Sequence, residues 1–260
     1  MSSARSEIFR QDLFRGKTAF LAGATSGINL AIAERMAALG ANVFVISRDS
    51  AKVAAAVGRL GGNASGCAAD VREYEAVAGS IDACAARFGA IDFVVSGAAG
   101  NFLAHAAELS PRGFRTVIDI DLIGSFHVAR AAFSRMRKPG ASLIFISALQ
   151  SFTAYPQQVH VCAAKAGIDS MMRALALEWG PAGVRVNSIA PGPIRDTEGM
   201  ARLAPDAAAT SRITSGIPLG RFGEKADIAD LAVFLCSDAA ANISGALMVS
   251  DGAGSAGRNW

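Results

Sequence analysis

The sequence predicts an α/β fold, a doubly wound parallel sheet of about seven strands with helices on both faces. Short apolar runs alternate along the chain with longer segments of helical periodicity. Those runs are apolar throughout, as expected of strands that are buried on both faces of a sheet. A length of 260 residues, 52% of them hydrophobic, suits one domain over residues 1–260 with a full core.

Strands and helices are expected in alternation along the whole chain. The apolar runs that predict strands are Lys17–Ala22, Asn42–Ser47, Ser65–Ala69, Ile91–Ser96, Ser142–Ser147, Arg185–Ala190 and Ala246–Ser250. Helical periodicity fills the intervals, over Gly27–Leu39 and near 51–60, 72–88, 111–137, 159–179 and 225–237. Proline and glycine interrupt the stretch 191–216, which has a short helical pattern near 198–210. Such an insertion before the last helix and strand predicts a substrate lid.

Charge and composition argue against several kinds of partner. A net charge of +3 without a run of lysine or arginine predicts no nucleic-acid partner. No apolar run is long enough to span a bilayer, so no membrane partner is expected. The termini resemble neither a signal peptide nor a peroxisomal address, which predicts a cytoplasmic location. Scattered cysteines without C-x-x-C spacing predict reduced, buried thiols and no metal site; they are Cys67, Cys84, Cys162 and Cys236.

The turn between the first predicted strand and the first helix predicts a nucleotide site. Its sequence, "AGATSGIN" over residues 22–29, places glycines where the backbone can turn tightly and approach a pyrophosphate. The helix that follows offers free N–H groups and the positive end of its dipole. The cofactor-binding residues predicted here are Gly23, Thr25, Ser26, Gly27 and Ile28.

The end of the second strand indicates which dinucleotide is bound. An acid there would accept the ribose hydroxyls of NAD, but this chain has Ser47 followed by Arg48. A guanidinium beside a hydroxyl suits the 2′-phosphate, so NADP(H) is the predicted cofactor. Asp49 is expected to cap the next helix. Asp70, followed by Val71 after the third strand, is expected either to hydrogen-bond the adenine or to cap a helix.

Several motifs in order resemble the short-chain dehydrogenase/reductase family over nearly the whole chain, which implies a Rossmann-like fold. They are Gly23-x-x-x-Gly27, Ser96-Gly97-Ala98-Ala99-Gly100, Ser147, Lys165, Pro191-Gly192 and Asp251-Gly252. That family typically uses a serine, a tyrosine four residues before the lysine, and an asparagine on the preceding long helix. Here Val161 stands at the tyrosine position and Asp121 at the asparagine position, while Asn29 replaces the third glycine of the nucleotide turn.

The departures resemble a narrower group, the 2,4-dienoyl-CoA reductases of the peroxisomal type. The stretches that carry this resemblance are "AAGNFL" at 98–103, "DID" at 119–121, "QVH" at 158–160, "EWGPAGVRVNSIAPGPI" at 178–194 and "TEG" at 197–199. In that group the asparagine position is also an aspartate and the tyrosine is also absent. The resemblance does not explain Asn29.

The chemistry of that group removes the need for the tyrosine. Ketone reduction makes an alkoxide that needs a nearby acid at once, and valine is not an acid. In a dienoyl thioester, hydride adds at the far end of the diene and charge spreads to the thioester oxygen, where hydrogen-bond donors stabilise it. A positioned water can then protonate the α-carbon.

The resemblance implies a role for each site residue. Asp121 and Lys165 would hold that water, and Lys165 would also bind the nicotinamide ribose. Ser147 would order the nicotinamide or the water, while Asn101 and Phe102 would contact the acyl thioester of an acyl-CoA substrate. Further residues expected near the cofactor or the substrate are Ala98, Pro191, Gly192, Ile194 and Thr197.

Two other functions stay open. The chain could be a carbonyl or alcohol oxidoreductase that uses Tyr155 or water as its acid. It could also be a nucleotide-binding protein without redox turnover, although the presence of both Lys165 and Asp121 argues against a dead site. His160 is expected to have a structural role rather than to relay protons. By analogy with the family, a homo-tetramer or homo-dimer is expected, packed through 111–137 and 159–179.

Overall fold

The computed structural model describes residues 8–204 and 206–257 and contains the predicted sheet. Its seven strands are all parallel, in the order β3-β2-β1-β4-β5-β6-β7. They are β1 Thr18–Ala22, β2 Asn42–Ser47, β3 Ala64–Ala68, β4 Phe93–Ser96, β5 Ser142–Ile146, β6 Arg185–Pro191 and β7 Leu247–Ser250. The prediction of a doubly wound parallel α/β fold is confirmed.

Helices cover both faces of the sheet. They are α1 Gly27–Ala38, α2 Ser50–Leu60, α3 Tyr74–Phe88, α4 Pro111–Val117, α5 Gly124–Ala132, α6 Val159–Trp179, α7 Glu198–Leu203, α8 Ala207–Ser215 and α9 Lys225–Cys236. Successive strand residues point to opposite faces. Thus Leu21 packs into the core under α1 and α9, whereas Phe20 packs into the core under α3, α5 and α6. Within the part of the chain that the structure describes, no helix could cross a bilayer.

The strand order reverses between β1 and β4, and this point locates the site. The chain winds outward through β2 and β3 on one side and through β5 to β7 on the other. Ala22 pairs with Ser96, so the turns after β1 and β4 leave the sheet side by side at its carboxyl edge. Ligands of open parallel sheets bind in the crevice at such a switch point.

The helix predicted over 111–137 is confirmed as far as Ala132, but it contains a π-helical segment and ends five residues early. After α4 the backbone forms a π-helical segment, Ile118–Ile123, and α5 then ends at Ala132. The apolar pattern continues past Ala132 to Met136, which is also buried. Met136, however, lies in an isolated parallel bridge with Ile91 and not in the helix. A π-helical turn carries an extra residue, and such turns often occur at functional sites.

The predicted short helix near 198–210 is two helices, α7 and α8, with a break between them. Thr197 caps α7 by accepting a hydrogen bond from the Met200 amide, and Asp206 caps α8 by accepting one from the Ala209 amide. Asp206 has the extended backbone angles of an N-cap residue, so α7 cannot continue through it into α8. A small apolar cluster joins Met200 of α7 to Ile217 and Phe222, which follow α8.

Asp92 ties the opposite edge of the sheet together. Its side chain is 1% exposed and accepts hydrogen bonds from the Thr18 amide at 2.9 Å, Lys17 Nζ at 3.2 Å and Arg137 Nε at 2.6 Å. We expect Asp92→Ala to lower the free energy of unfolding by about 2 kcal/mol, since a buried amide and two cations lose their acceptor. Urea denaturation measures this.

The matched control for that substitution is Asp82→Ala. Asp82 also pairs with an arginine, Arg135, but both side chains are more than half exposed. Exposed ion pairs contribute about 0–1 kcal/mol, so this variant should unfold close to the wild-type midpoint. Equal losses for the two variants would contradict the role given to Asp92.

Candidate active site

Two adjoining cavities open at the switch point. The larger, of about 710 Å³, lies over β1, β4 and β5 and beneath the segment 191–203. The smaller, of about 560 Å³, extends over the ends of β2 and β3. Thr25, Ser26 and Asn29 line both cavities, so an extended molecule can reach from one into the other. Small-molecule sites have volumes in this range.

The turn after β1 is shaped for close approach of a ligand. Gly23 has φ +75°, and a Cβ there would lie 2.7 Å from the Ala98 backbone. Gly27 has φ +59° and begins α1, whose N-cap residue Ser26 makes no side-chain capping bond. Free amides at a helix N-terminus fit the pyrophosphate of a dinucleotide. Thr25 and Ile28 also line the larger cavity.

Asn29 fastens the two turns to each other. Its Nδ2 donates to Gly97 O at 2.7 Å and to Gly23 O at 3.3 Å, and the residue is only 8% exposed. A Cβ at Gly97 would lie 2.3 Å from Asn29 Oδ1, so the two residues fit as a pair. Asn29, which departs from the glycine pattern, therefore joins the turn after β1 to the turn after β4 through its side-chain hydrogen bonds.

The smaller cavity contains the residues predicted to bind the adenosine end. Ser47, Arg48, Asp70 and Val71 line it, together with Ala98 from the turn after β4. Asp49 caps α2 as predicted, accepting hydrogen bonds from the Ala51 and Lys52 amides. Its carboxylate is thereby engaged away from the neighbouring guanidinium.

Asp70 is held by a neighbouring arginine that was not among the predicted site residues. Arg72 Nη2 lies 2.6 Å from Asp70 Oδ2, and this hydrogen bond keeps the pKa of Asp70 below its usual range. The alternative role of Asp70 as a helix cap is wrong, because α3 begins at Tyr74 after Glu73. The charged carboxylate stays at the wall of the cavity as an acceptor.

Asp121 and Lys165 form a buried ion pair at the floor of the larger cavity. Lys165 Nζ lies 3.3 Å from Asp121 Oδ2 and donates a hydrogen bond to Ile146 O at 3.0 Å. The Gly100 amide donates to Asp121 Oδ1 at 2.7 Å. Asp121 is 0% and Lys165 5% exposed. The π-helical segment thus turns Asp121 toward α6, although a lone helical aspartate is usually at the surface.

Two polar atoms at this floor have no hydrogen-bond partner among the described residues: Asp121 Oδ2 and the buried Ser147 Oγ. Buried polar atoms rarely stay unsatisfied, so their placement at a cavity indicates a polar ligand there. Beside them Val161 is 3% exposed and packs with Val117 and Ala164. The wall that faces Lys165 is therefore apolar where the family has a tyrosine.

Amide side chains line the mouth of the cavity. Gln158 Oε1 accepts hydrogen bonds from Asn101 Nδ2 at 3.4 Å and from Gln150 Nε2 at 3.0 Å. Asn101 lines the cavity as predicted, but Gln150 and Gln158 were not among the predicted site residues. They precede α6 and do not belong to its periodic pattern, so no spacing indicated them.

The segment after β6 reaches the cavity as expected, with Pro191, Gly192, Ile194 and Thr197 on its wall. Phe102 does not: it is absent from the lining, and its ring packs on His160 with the centroids 4.6 Å apart. The expected contact of the Phe102 side chain with the substrate is therefore not supported. The ring contacts His160, which is 0% exposed and lies beneath the loop.

The cysteines do not take part in the site. All four are free thiols; Cys84 and Cys236 are buried, which raises the pKa of each to about 12, while Cys67 and Cys162 are partly exposed. The prediction that all were buried is thus half right. The described residues contain no cluster of side chains that could hold a metal ion.

The fold and the site together define a dinucleotide-binding α/β protein. The family model described as enoyl-(acyl carrier protein) reductase matches residues 23–254. The chain belongs to the short-chain dehydrogenase/reductase family.

Relatives in this family have different activities. The chain is 40% identical over 251 residues to the (3E)-enoyl-CoA-producing peroxisomal 2,4-dienoyl-CoA reductase of Saccharomyces cerevisiae, covering 94% of this chain and 86% of that one. It is also 40% identical over 248 residues to the D-threitol dehydrogenase of Mycolicibacterium smegmatis, covering 94% of each. A solved short-chain dehydrogenase/reductase from Brucella melitensis superposes with a TM-score of 0.89 at 29% identity, covering 94% and 99% of the two chains.

Asn29→Asp tests the fastening of the two turns. The substitution keeps the shape but replaces the amide donor by a carboxylate that faces two carbonyl oxygens. We expect it to lower the free energy of unfolding by about 2–3 kcal/mol and to weaken binding of a nicotinamide dinucleotide.

Asn29→Ala is its control and should cost less, about 1–2 kcal/mol, because it removes the donor without adding a charge. Urea denaturation and a fluorescence titration with NADPH measure both effects. An Asp variant as stable as the wild type would rule out the fastening role.

Proposed function

We propose that this protein reduces 2,4-dienoyl-CoA or a related enoyl thioester with NADPH. The observation that carries the proposal is the buried Asp121–Lys165 pair, which faces an apolar wall at Val161 where a ketone reductase needs an acid. Likeness to a 2,4-dienoyl-CoA reductase over 94% of the chain supports it.

The residues of the two cavities fit a nicotinamide dinucleotide. The turn at Gly23 and the N-terminus of α1 would hold its pyrophosphate, and Ser47 with Arg48 would hold the 2′-phosphate of NADP. Asp70 and Val71 would border the adenine. Lys165 would bind the nicotinamide ribose, and Pro191 to Ile194 would border the carboxamide. When bound, the cofactor supplies a hydride.

The chain's own residues would then stabilise the negative charge on the thioester and deliver a proton to its α-carbon. An ammonium has three donors, and Lys165 uses one on Ile146 O, while Asp121 Oδ2 lies 3.3 Å from Nζ as an ion-pair partner without a hydrogen bond. A remaining donor can bind a water whose hydrogen Asp121 Oδ2 accepts. That water gives a proton to the α-carbon of the thioester and becomes hydroxide. The Lys165 ammonium then protonates the hydroxide, and solvent returns the proton to Lys165. Asn101 would donate to the thioester oxygen while it carries negative charge.

A carbonyl or alcohol oxidoreductase is the second candidate, since a D-threitol dehydrogenase is as similar in sequence. That reaction needs an acid at the reacting oxygen. Tyr155 lies in the loop before α6, where it was expected, and it does not line the larger cavity. The geometry therefore favours the thioester, where the proton goes to carbon.

Three further features remain proposals. The segment 191–216, with α7 and α8, would act as a lid over the acyl chain, since its first part, 191–203, lines the larger cavity. Assembly into a homo-tetramer or homo-dimer and a cytoplasmic location stay predictions. The similar dienoyl-CoA reductase of yeast is named as a peroxisomal protein, which differs from the cytoplasmic location predicted for this chain.

The function is tested by mixing the purified protein with NADPH and 2,4-hexadienoyl-CoA and following the loss of absorbance of both. Asp121→Asn should lower kcat by about 100-fold or more, since general acid–base groups contribute on that order, with NADPH affinity nearly unchanged. The control is Asp119→Asn, in the same π-helical segment but outside the cavity lining. Turnover of a ketone but not of the dienoyl thioester would sink the proposal.

Cofactor choice is tested with Arg48→Ala. The exposed Arg48 guanidinium lines the smaller cavity. Its loss should weaken NADPH binding by about tenfold, as expected for one charge-assisted hydrogen bond to phosphate. NADH, which has no 2′-phosphate, should bind as before and serves as the internal control. Equal weakening of both would refute the assignment.

A further inference from the structure

The loop that follows β4 carries Asn101, yet it has little structure of its own. Residues 97–105 form no helix or strand, and Phe102 and Leu103 are 39% and 52% exposed. An irregular loop keeps its shape only through contacts with rigid elements. Because Asn101 is the proposed donor to the thioester oxygen, whatever holds this loop sets where that donor lies.

The loop is held by the segment that begins α6. The Ala104 amide donates to Gln157 O at 3.1 Å, and Asn101 Nδ2 donates to Gln158 Oε1. The third contact comes from inside the helix: His160 Nε2 lies 3.1 Å from Phe102 O. The Phe102 ring closes over the same histidine. Together these contacts fasten the loop to residues 157–160, at the N-terminus of α6.

His160 is the most deeply buried member of this set. It is 0% exposed, whereas Gln158 is 6% exposed and Gln157 is partly exposed. Phe102 O can only accept, so the imidazole ring donates through a proton on Nε2. Its Nδ1 has no partner among the described residues, which leaves the bond to Phe102 O as the polar contact that fixes the ring.

One helix therefore bears both halves of the proposed chemistry. Val161, directly after His160, lines the apolar wall of the cavity, and Lys165, one turn later, lines its floor. His160 contacts the loop that carries Asn101. The distance between the thioester oxygen donor and the proton source is thus fixed through one rigid element. Sub-ångström positioning of this kind has large effects on binding and rate.

We propose that His160 is a positioning residue for the acyl thioester, which holds the Asn101 loop against α6 through the bond from Nε2 to Phe102 O. The proposal rests on the proposed function. It assigns His160 no proton transfer, since the ring does not line the cavity.

Three substitutions test it. The amide Nε2 of a glutamine can reach the position of His Nε2, whereas the shorter asparagine cannot, and phenylalanine keeps a ring without a donor. We expect His160→Asn and His160→Phe to raise KM for 2,4-hexadienoyl-CoA by about five- to tenfold, the effect of one buried hydrogen bond. His160→Gln should restore KM to within about twofold, and the Kd for NADPH should stay constant throughout.

The control is His127→Phe. His127 is a partly buried histidine on α5 that also contacts a backbone carbonyl, Val71 O at 2.9 Å, and its loss should leave KM for the acyl-CoA unchanged. Unaltered KM in the Asn and Phe variants, or a Gln variant as poor as Phe, would overturn the proposal. So would a parallel loss of NADPH affinity, which indicates general damage to the fold.

Hydrogen exchange separates this proposal from the proposed function. Amides of 100–104 should exchange faster in His160→Asn than in the wild type and in His160→Gln, and this needs no substrate. If the wild type fails to reduce the dienoyl thioester, the function is wrong, and the exchange comparison then decides for or against the fastening. Equal exchange in the Asn and Gln variants would refute it, even if the Phe variant does not fold.

Discussion

The buried ion pair between Asp121 and Lys165 is the interaction on which the site depends. Breaking such a pair by removing one partner typically costs about 3–5 kcal/mol, because the other charge stays buried. The pair is tolerated because backbone groups complete it: the Gly100 amide binds the carboxylate and Ile146 O binds the ammonium. These groups come from the turn after β4 and from the end of β5, so the pair also joins neighbouring strand ends.

Val161 is understood beside this pair. A tyrosine there would point a hydroxyl at the reacting oxygen, but valine packs with Val117 and Ala164 and makes that wall apolar. The site consequently has charge at its floor and amides at its mouth, with the apolar side chain of Val161 on the wall between them. Such an arrangement suits a reaction in which negative charge spreads over a conjugated thioester and the proton is delivered to carbon.

The sequence was sufficient for the sheet and the switch point, and every predicted site residue except Phe102 lines one of the two cavities, because strand ends and glycine turns are local features. It was not sufficient where contacts cross the fold. The π-helical turn that aims Asp121 inward, the pairing of Asn29 with Gly97 and the burial of His160 under Phe102 depend on tertiary partners. For the same reason Phe102 was placed at the substrate, whereas its ring packs on the histidine below it.

The position of the new hydrogen in the product tests the account most directly. If 2,4-hexadienoyl-CoA is reduced in D2O with NADPH and analysed by NMR, solvent deuterium should appear at the α-carbon and the remaining double bond at carbon 3. The hydride from the cofactor should be at carbon 5. A product with its double bond at carbon 2 and deuterium on the γ-carbon would contradict the claim that Asp121 and Lys165 deliver the proton beside the thioester.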